Sequence, residues 1–156
     1  MISEPFDAAA IDIRRAAPAD AAQMAEAWLL SFSAALPTVR RAHTDDQVRQ
    51  WMRDVVIPEF DAFVAVDAGV VVGLLVLGEH AIEQLYLHPS WRGRGLGDRL
   101  VELAKSRLPH GLELWTFQVN ESAMRFYARH GLVEMERTDG SANEEREPDV
   151  RFVWRP

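Results

Sequence analysis

Apolar and polar positions along the chain change period several times, and each change predicts an element. Ile11-Asp12-Ile13-Arg14 alternates as a half-buried strand does. Asp20 and Gln23 stand at capping-box spacing ahead of Met24, Ala27 and Trp28, which share one helical face. Thr44 and Gln47 repeat that spacing before Val48, Trp51, Met52 and Val55, an apolar stripe that Pro58 brings to an end. The period then shortens. Ala62 to Val66 and Val70 to Leu77 are β-rich runs joined through Asp67-Ala68-Gly69, a hairpin pattern, and Ala81 to Leu87 is a third run stopped by His88-Pro89. Leu96, Leu100, Leu103, Ala104 and Leu108 mark a helix face, and Leu112 to Val119 is strand-like. Ala123, Phe126, Tyr127 and His130 form the next helical stripe, with Gly131 where a C-cap glycine belongs. Leu132 to Arg137 and Val150 to Trp154 close the chain as strands around a polar loop. The order β-α-α-β-β-β-α-β-α-β-β predicts a mixed sheet with helices on its faces. Residues 1–10 read as a loose lead-in to a single domain over 11–156.

Composition narrows the function classes. The chain has 156 residues, 48% hydrophobic and 26% charged, with a net charge of −7. That is an ordinary globular mix, and its acidic balance disfavours broad nucleic-acid binding. Cysteine is absent, which removes disulfides, thiolate metal sites and thiol-linked covalent catalysis. The acidic N-terminus lacks the pattern of a signal peptide, and the longest uncharged stretch, Ala27 to Val39, is shorter than the roughly 20 residues of a membrane span. A cytoplasmic protein with no membrane partner is the expectation.

The most informative segment is the glycine turn Arg92-Gly93-Arg94-Gly95-Leu96-Gly97, set between a strand and a helix. Glycines let backbone amides crowd a ligand, and the helix N-terminus favours an anion. Arg92 to Arg107 carries five basic residues against two acidic ones, which supports that reading. A Walker A loop is excluded, because the chain's one lysine, Lys105, follows Ala104. The spacing G-x-G-x-G fits a dinucleotide fingerprint poorly.

The turn resembles the R/Q-x-x-G-x-G/A motif of the GCN5-related N-acetyltransferases (GNAT). The segment from Asn120 to Leu132 resembles that family's second signature, N-x-x-A-x-x-F-Y-x-x-x-G-F, with Leu132 in place of the usual aromatic. The likeness runs in element order over about residues 11 to 137, and its motifs lie within residues 81 to 132. It implies a GNAT-type acyl-CoA N-acyltransferase fold, an α/β (α+β mixed) architecture whose central mixed, mostly antiparallel sheet is flanked by about four helices.

The resemblance also implies roles. Backbone amides of Arg92, Gly93, Arg94, Gly95, Leu96, Gly97 and Asp98 would hold the pyrophosphate of acetyl-CoA, the expected cosubstrate, with both arginine side chains available for further contacts. Leu85, Tyr86 and Leu87 would meet the pantetheine arm through main chain. Asn120 would hydrogen-bond that arm or act as a helix N-cap. Tyr127 would protonate the departing thiolate, although a core aromatic fits the same spacing. Glu83 would serve as general base through water, or Glu79 or His80 in its place; a solvent-facing strand residue is the alternative for Glu83. No metal is expected, since His43, His88, His110 and His130 show no ligand spacing with acidic partners.

Without a thiol, direct transfer in a ternary complex is expected, to a primary amine of a small molecule or peptide. Trp28, Phe32, the Leu36-to-His43 connection and the acidic Thr138-to-Pro148 loop are the candidates for the acceptor side; a solvated loop and ordinary helix core are the competing readings. Alternatives of function are a noncatalytic acyl-CoA-binding regulatory module, another acyl group, or a hydroxyl acceptor. Val150, Phe152 and Trp154 would either supply a strand to a homodimer or complete the protomer's own core.

Overall fold

Thr44 and Gln47 form the reciprocal cap that their spacing predicts. Gln47 N donates to Thr44 Oγ1 at 3.2 Å and Thr44 N donates to Gln47 Oε1 at 2.9 Å, which starts helix α2 (Asp45–Trp51). The computed structural model describes residues 10–156, so the lead-in expected for residues 1–10 lies outside the described residues apart from Ala10. Asp20 and Gln23 do not make the box expected of them. The Asp20 carboxylate accepts from Ala17 N and takes a two-pronged contact from Arg14, while Gln23 Oε1 accepts from Val71 N at 2.8 Å. Both side chains are committed to tertiary partners, and helix α1 (Ala21–Ala35) begins without a side-chain cap.

Strands β1 (Asp12–Arg15), β2 (Asp61–Asp67), β3 (Val70–Leu77) and β4 (Ile82–Leu87) form one antiparallel sheet in that order. Strands β5 (Leu112–Phe117), β6 (Val133–Arg137) and β7 (Asp149–Trp154) form a second, ordered β5-β7-β6. The parallel element of the expected mixed sheet is a single bridge, Ala81 to Glu113, where β5 meets the foot of β4. Above that bridge the two sheets part.

Two cores are divided by β3. Leu74 and Val76 pack toward α1 and α2, Leu75 and Leu77 toward helices α4 (Leu96–Arg107) and α5 (Glu121–Arg129). Period-2 alternation on a strand covered on both faces produces this division, and each leucine so buried contributes about 1.5–3 kcal/mol. Val150 and Phe152 lie in the second core, and β7 is the middle strand of its sheet. Those two residues therefore complete the protomer's own interior.

The α2 stripe slips by one residue. A π-helical turn (Met52–Val56) precedes the short helix α3 (Ile57–Glu59), so that Val56, not Val55, reaches the core. The wide turn accommodates Pro58, which has no N–H to donate and whose ring would otherwise collide with the carbonyl one turn back.

The β2–β3 hairpin turns through Ala68 (φ +48°) and Gly69 (φ +81°), both left-handed, as a type I′ turn requires. Alanine is strained there. Ala68→Asn should raise unfolding stability by about 0.5–1 kcal/mol in urea titrations, because asparagine tolerates this conformation. An unchanged or lowered midpoint would contradict the turn assignment.

Candidate active site

Strand β4 stands at the parting of the sheets, and its register decides which backbone groups face the gap. His88 N donates to Val72 O at 2.8 Å, which makes Tyr86 and Leu74 a hydrogen-bonded pair in the same register. Leu85 and Leu87 consequently direct their N–H and C=O groups away from β3, toward the gap. The expectation for Leu85, Tyr86 and Leu87 is thus divided. Main chain is free at the two leucines, whereas Tyr86 has its main chain committed to β3 and lends its ring, 5.4 Å from that of Trp28.

A bulge sits lower on β4, between the pairs Val76–Gln84 and Leu77–Ile82, and Glu83 is its extra residue. Glu83 is exposed, and a methyl group at Gly78 would lie 2.5 Å from its Oε1. Its carboxylate therefore lies over the β3–β4 turn, outside the cleft. Glu79 and His80 are exposed at the same turn. Gln84 takes the inward place on this strand and accepts from Trp28 Nε1 at 3.0 Å.

Beyond β4 the chain makes a 3₁₀ turn (Pro89–Trp91) and then the glycine loop. Gly93 has φ +70° and Gly95, the N-cap of α4, has φ +86°. Arg99 N donating to Gly95 O is the first bond of the helical ladder. The amides of Leu96, Gly97 and Asp98 thus precede the ladder and carry the helix's partial positive charge. Gly97 is needed for a second reason. A Cβ there would meet Phe126 Cζ at 3.1 Å, so its absence lets α4 lie close against α5.

Arg92 does not project freely. Its Nη2 donates to Ser31 O (3.1 Å) and Ser31 Oγ (3.2 Å), and burial against α1 lowers the guanidinium pKa. Arg94 is exposed. The Asp98 carboxylate accepts from His130 Nε2 at 2.7 Å, which ties the first turn of α4 to the end of α5.

These groups line one cleft of about 370 Å³. Its walls include Leu85, Tyr86, Leu87, Arg92, Gly93, Gly95, Gly97, Asp98, Asn120 and Tyr127, and so bring together most of the residues expected from the sequence. Arg94, Leu96 and Glu83 are outside the lining, Leu96 being fully buried beneath it. Ser31 and Arg129 line the cleft without having been expected. Arg129 lies one turn after Phe126 and stacks over its ring at 5.7 Å, placing a cation beside the glycine loop.

Asn120 caps α5 by accepting from Ala123 N at 3.2 Å, which leaves its Nδ2 hydrogens for the cleft. Tyr127 is 8% exposed. Burial pushes both its phenol and that of Tyr86 above the ordinary tyrosine range, and at Tyr86 the neighbouring Tyr127 and Glu145 add to the effect. Neither hydroxyl has a hydrogen-bond partner among the described residues. Two neutral phenols line a cleft that also presents amides and cations. No group of metal-ligating side chains and no helix able to cross a membrane occurs among the described residues.

A family model described as an acetyltransferase (GNAT) domain matches residues 58–134. The chain is similar to the peptidyl-lysine N-acetyltransferase YjaB of Salmonella typhimurium, 32% identical over 126 residues that span 78% of this chain and 82% of that relative. An uncharacterized N-acetyltransferase of Methanocaldococcus jannaschii is 38% identical over 63 residues, a match spanning 38% of this chain and 28% of that relative. Among solved structures, apo-form YjaB from Escherichia coli has a TM-score of 0.76 at 26% identity, covering 92% of this chain and 97% of that one. The PaiA N-acetyltransferase from Thermoplasma acidophilum, in complex with coenzyme A, shares the fold with a TM-score of 0.74 at 16% identity, covering 94% and 99%.

Proposed function

Because this chain belongs to the GCN5-related N-acetyltransferase family of acyltransferases, we propose that it moves the acetyl group of acetyl-CoA to a primary amine, and that the amine is the side chain of a peptide lysine. The observation that carries the reading is one continuous cleft with unpaired amides of Leu85 and Leu87 along one wall, the first-turn amides of α4 at one end and the Tyr127 phenol at the other. The lysine acceptor is supported by the relatives named as peptidyl-lysine N-acetyltransferases.

Acetyl-CoA, when bound, supplies a thioester: a C–N bond forms to its carbonyl carbon, the C–S bond breaks, and the sulfur leaves with a proton. The amides of Gly93, Gly95, Leu96 and Gly97 suit a pyrophosphate, and the Asn120 Nδ2 group suits a pantetheine amide. A free amide at Leu85 or Leu87 polarises a carbonyl placed on the β4 edge. Tyr127 holds its proton at the hydroxyl until the sulfur departs, and the second proton of the attacking amine restores it. The first proton, which makes the free amine an ammonium near pH 7, is lost to water before attack, since Glu83 lies outside the cleft. With no cysteine in the chain, transfer is direct within a ternary complex.

The acid must be neutral to act, and burial raises the pKa at which Tyr127 would lose its proton. The pH profile of kcat/KM should therefore climb as the lysine ammonium loses its proton, toward its own value of about 10.4, with no descending limb below about pH 10. A fall beginning near about pH 8.5 would contradict Tyr127 as the acid. The reading as a whole is tested by thiol release from acetyl-CoA with lysine peptides, polyamines and alcohols. Turnover confined to alcohols, or coenzyme A binding without turnover of any acceptor, would overturn it.

A further inference from the structure

Two polar residues are buried among the described residues, Asp20 and Ser31, and each is paired with an arginine. Asp20 holds Arg14 of β1, outside the cleft lining. Ser31 is 2% exposed on α1, three positions after Trp28 and one before Phe32 of the first core, where alanine would suit the helix better. A hydroxyl taken out of water costs free energy unless it is hydrogen-bonded. Its partner is Arg92 at the head of the glycine loop, across 61 positions of sequence: Nη2 donates to Ser31 Oγ at 3.2 Å and to Ser31 O at 3.1 Å.

That clamp uses only part of the guanidinium. The Nε and Nη1 hydrogens of Arg92 have no partner among the described residues, and no carboxylate pairs with it, in contrast to Arg14, Arg41 and Arg49. The position suits a cation, because α1 has no basic residue in its own last turn and positive charge is favoured toward a helix C-terminus. Ser31 and Arg92 both line the cleft, together with Gly93, Gly95 and Gly97 of the loop.

We infer that Ser31 is a positioning residue for the cosubstrate: by clamping Nη2 of Arg92 against α1, it aims the remaining donors of that guanidinium at the diphosphate received by the glycine loop. The inference rests on the acetyl-transfer reading above and deepens it. A long side chain loses rotamer freedom when it grips an anion, and one already held loses less. A guanidinium without a carboxylate of its own also gives up no ion pair when the diphosphate arrives. Ser31 acts through Arg92 and takes no part in breaking the thioester.

The test is calorimetry with coenzyme A on the wild type, Ser31→Ala, Arg92→Met, the double variant and Ser33→Ala. Ser33→Ala makes the same change at an exposed position of the same helix. Ser31→Ala should weaken the affinity about fivefold and Arg92→Met about thirtyfold, and the double variant should stay within about twofold of Arg92→Met, because Ser31 then has nothing to hold. Ser33→Ala should bind as the wild type does. The thermal midpoint of Ser31→Ala should hold or rise, since alanine is the better helix former, whereas a serine serving only the fold would lose stability and affinity together. Equal affinity in the wild type and Ser31→Ala, additive losses in the double variant, an equal loss in Ser33→Ala, or a midpoint that falls with the affinity overturns the inference and leaves the enzymatic reading standing. A wild type that binds no coenzyme A overturns both.

Discussion

Tyr127→Phe should lower kcat by about 10²–10³ while leaving the affinity for coenzyme A within about twofold, the range expected when a positioned acid is deleted. The substitution removes one oxygen and keeps the ring. That ring packs against Phe126 at 5.3 Å and Phe152 at 6.1 Å in the second core, and both contacts survive. The hydroxyl makes no hydrogen bond among the described residues, so removing it leaves no buried partner unsatisfied. Stability should hold or rise slightly, and the thermal midpoint separates this outcome from unfolding. A purely structural tyrosine would give unchanged turnover, as would a noncatalytic acyl-CoA-binding module, which has no turnover to lose.

Gly95→Val should weaken coenzyme A binding by about a hundredfold. At φ +86° a β-branched residue is strained by about 1–2 kcal/mol or more, and the loop relieves that strain by rotating the peptide units on either side. Rotation turns the amides of Leu96 and Gly97 out of alignment. Hydrogen bonds to a charged group are each worth about 1.5–3 kcal/mol, so the loss of one or two gives the stated factor. The fold should survive, because Gly95 is exposed at the start of a helix whose own buried face, Leu96, Leu100, Val101 and Ala104, is untouched. Isothermal titration reads the affinity directly, and equal affinity in the two proteins would show that the loop conformation does not serve the cosubstrate.

How much of this was legible before the coordinates depended on where each signal lay. Thr44 and Gln47 carry both halves of a cap within four residues, so the cap was readable. Asp20 and Gln23 match the same pattern, yet Arg14 and the β3 backbone claim them, and no local spacing reports such a claim. The π turn ahead of Pro58 and the bulge at Glu83 are single-residue insertions that shift the phase of everything on their element. A strict period therefore named Val55 where the fold presents Val56, and the resemblance placed a base at Glu83 where the strand turns Gln84 inward. The glycine loop, Asn120 and Tyr127 were legible because each needs a particular residue type at a fixed offset from a helix start. Ser31 and Arg129 were not, since they reach the cleft only through the approach of α1 and α5 to the loop. Arg129 did leave a trace, three positions after Phe126 on the motif helix.

The pairing of the polar β6–β7 loop with the α1–α2 connection was likewise invisible in one dimension. The acidic loop reads as a solvated run, and only the His43–Glu144 contact places it across the α1–α2 connection.

The account stands on amides of the glycine loop and of the free β4 edge holding coenzyme A, and amide chemical shifts report on those atoms one by one. Titration of isotope-labelled protein with coenzyme A should move the resonances of Gly93, Gly95, Gly97, Leu85 and Leu87 most, and saturably. Shifts confined to other surfaces, or none at millimolar ligand, would contradict it.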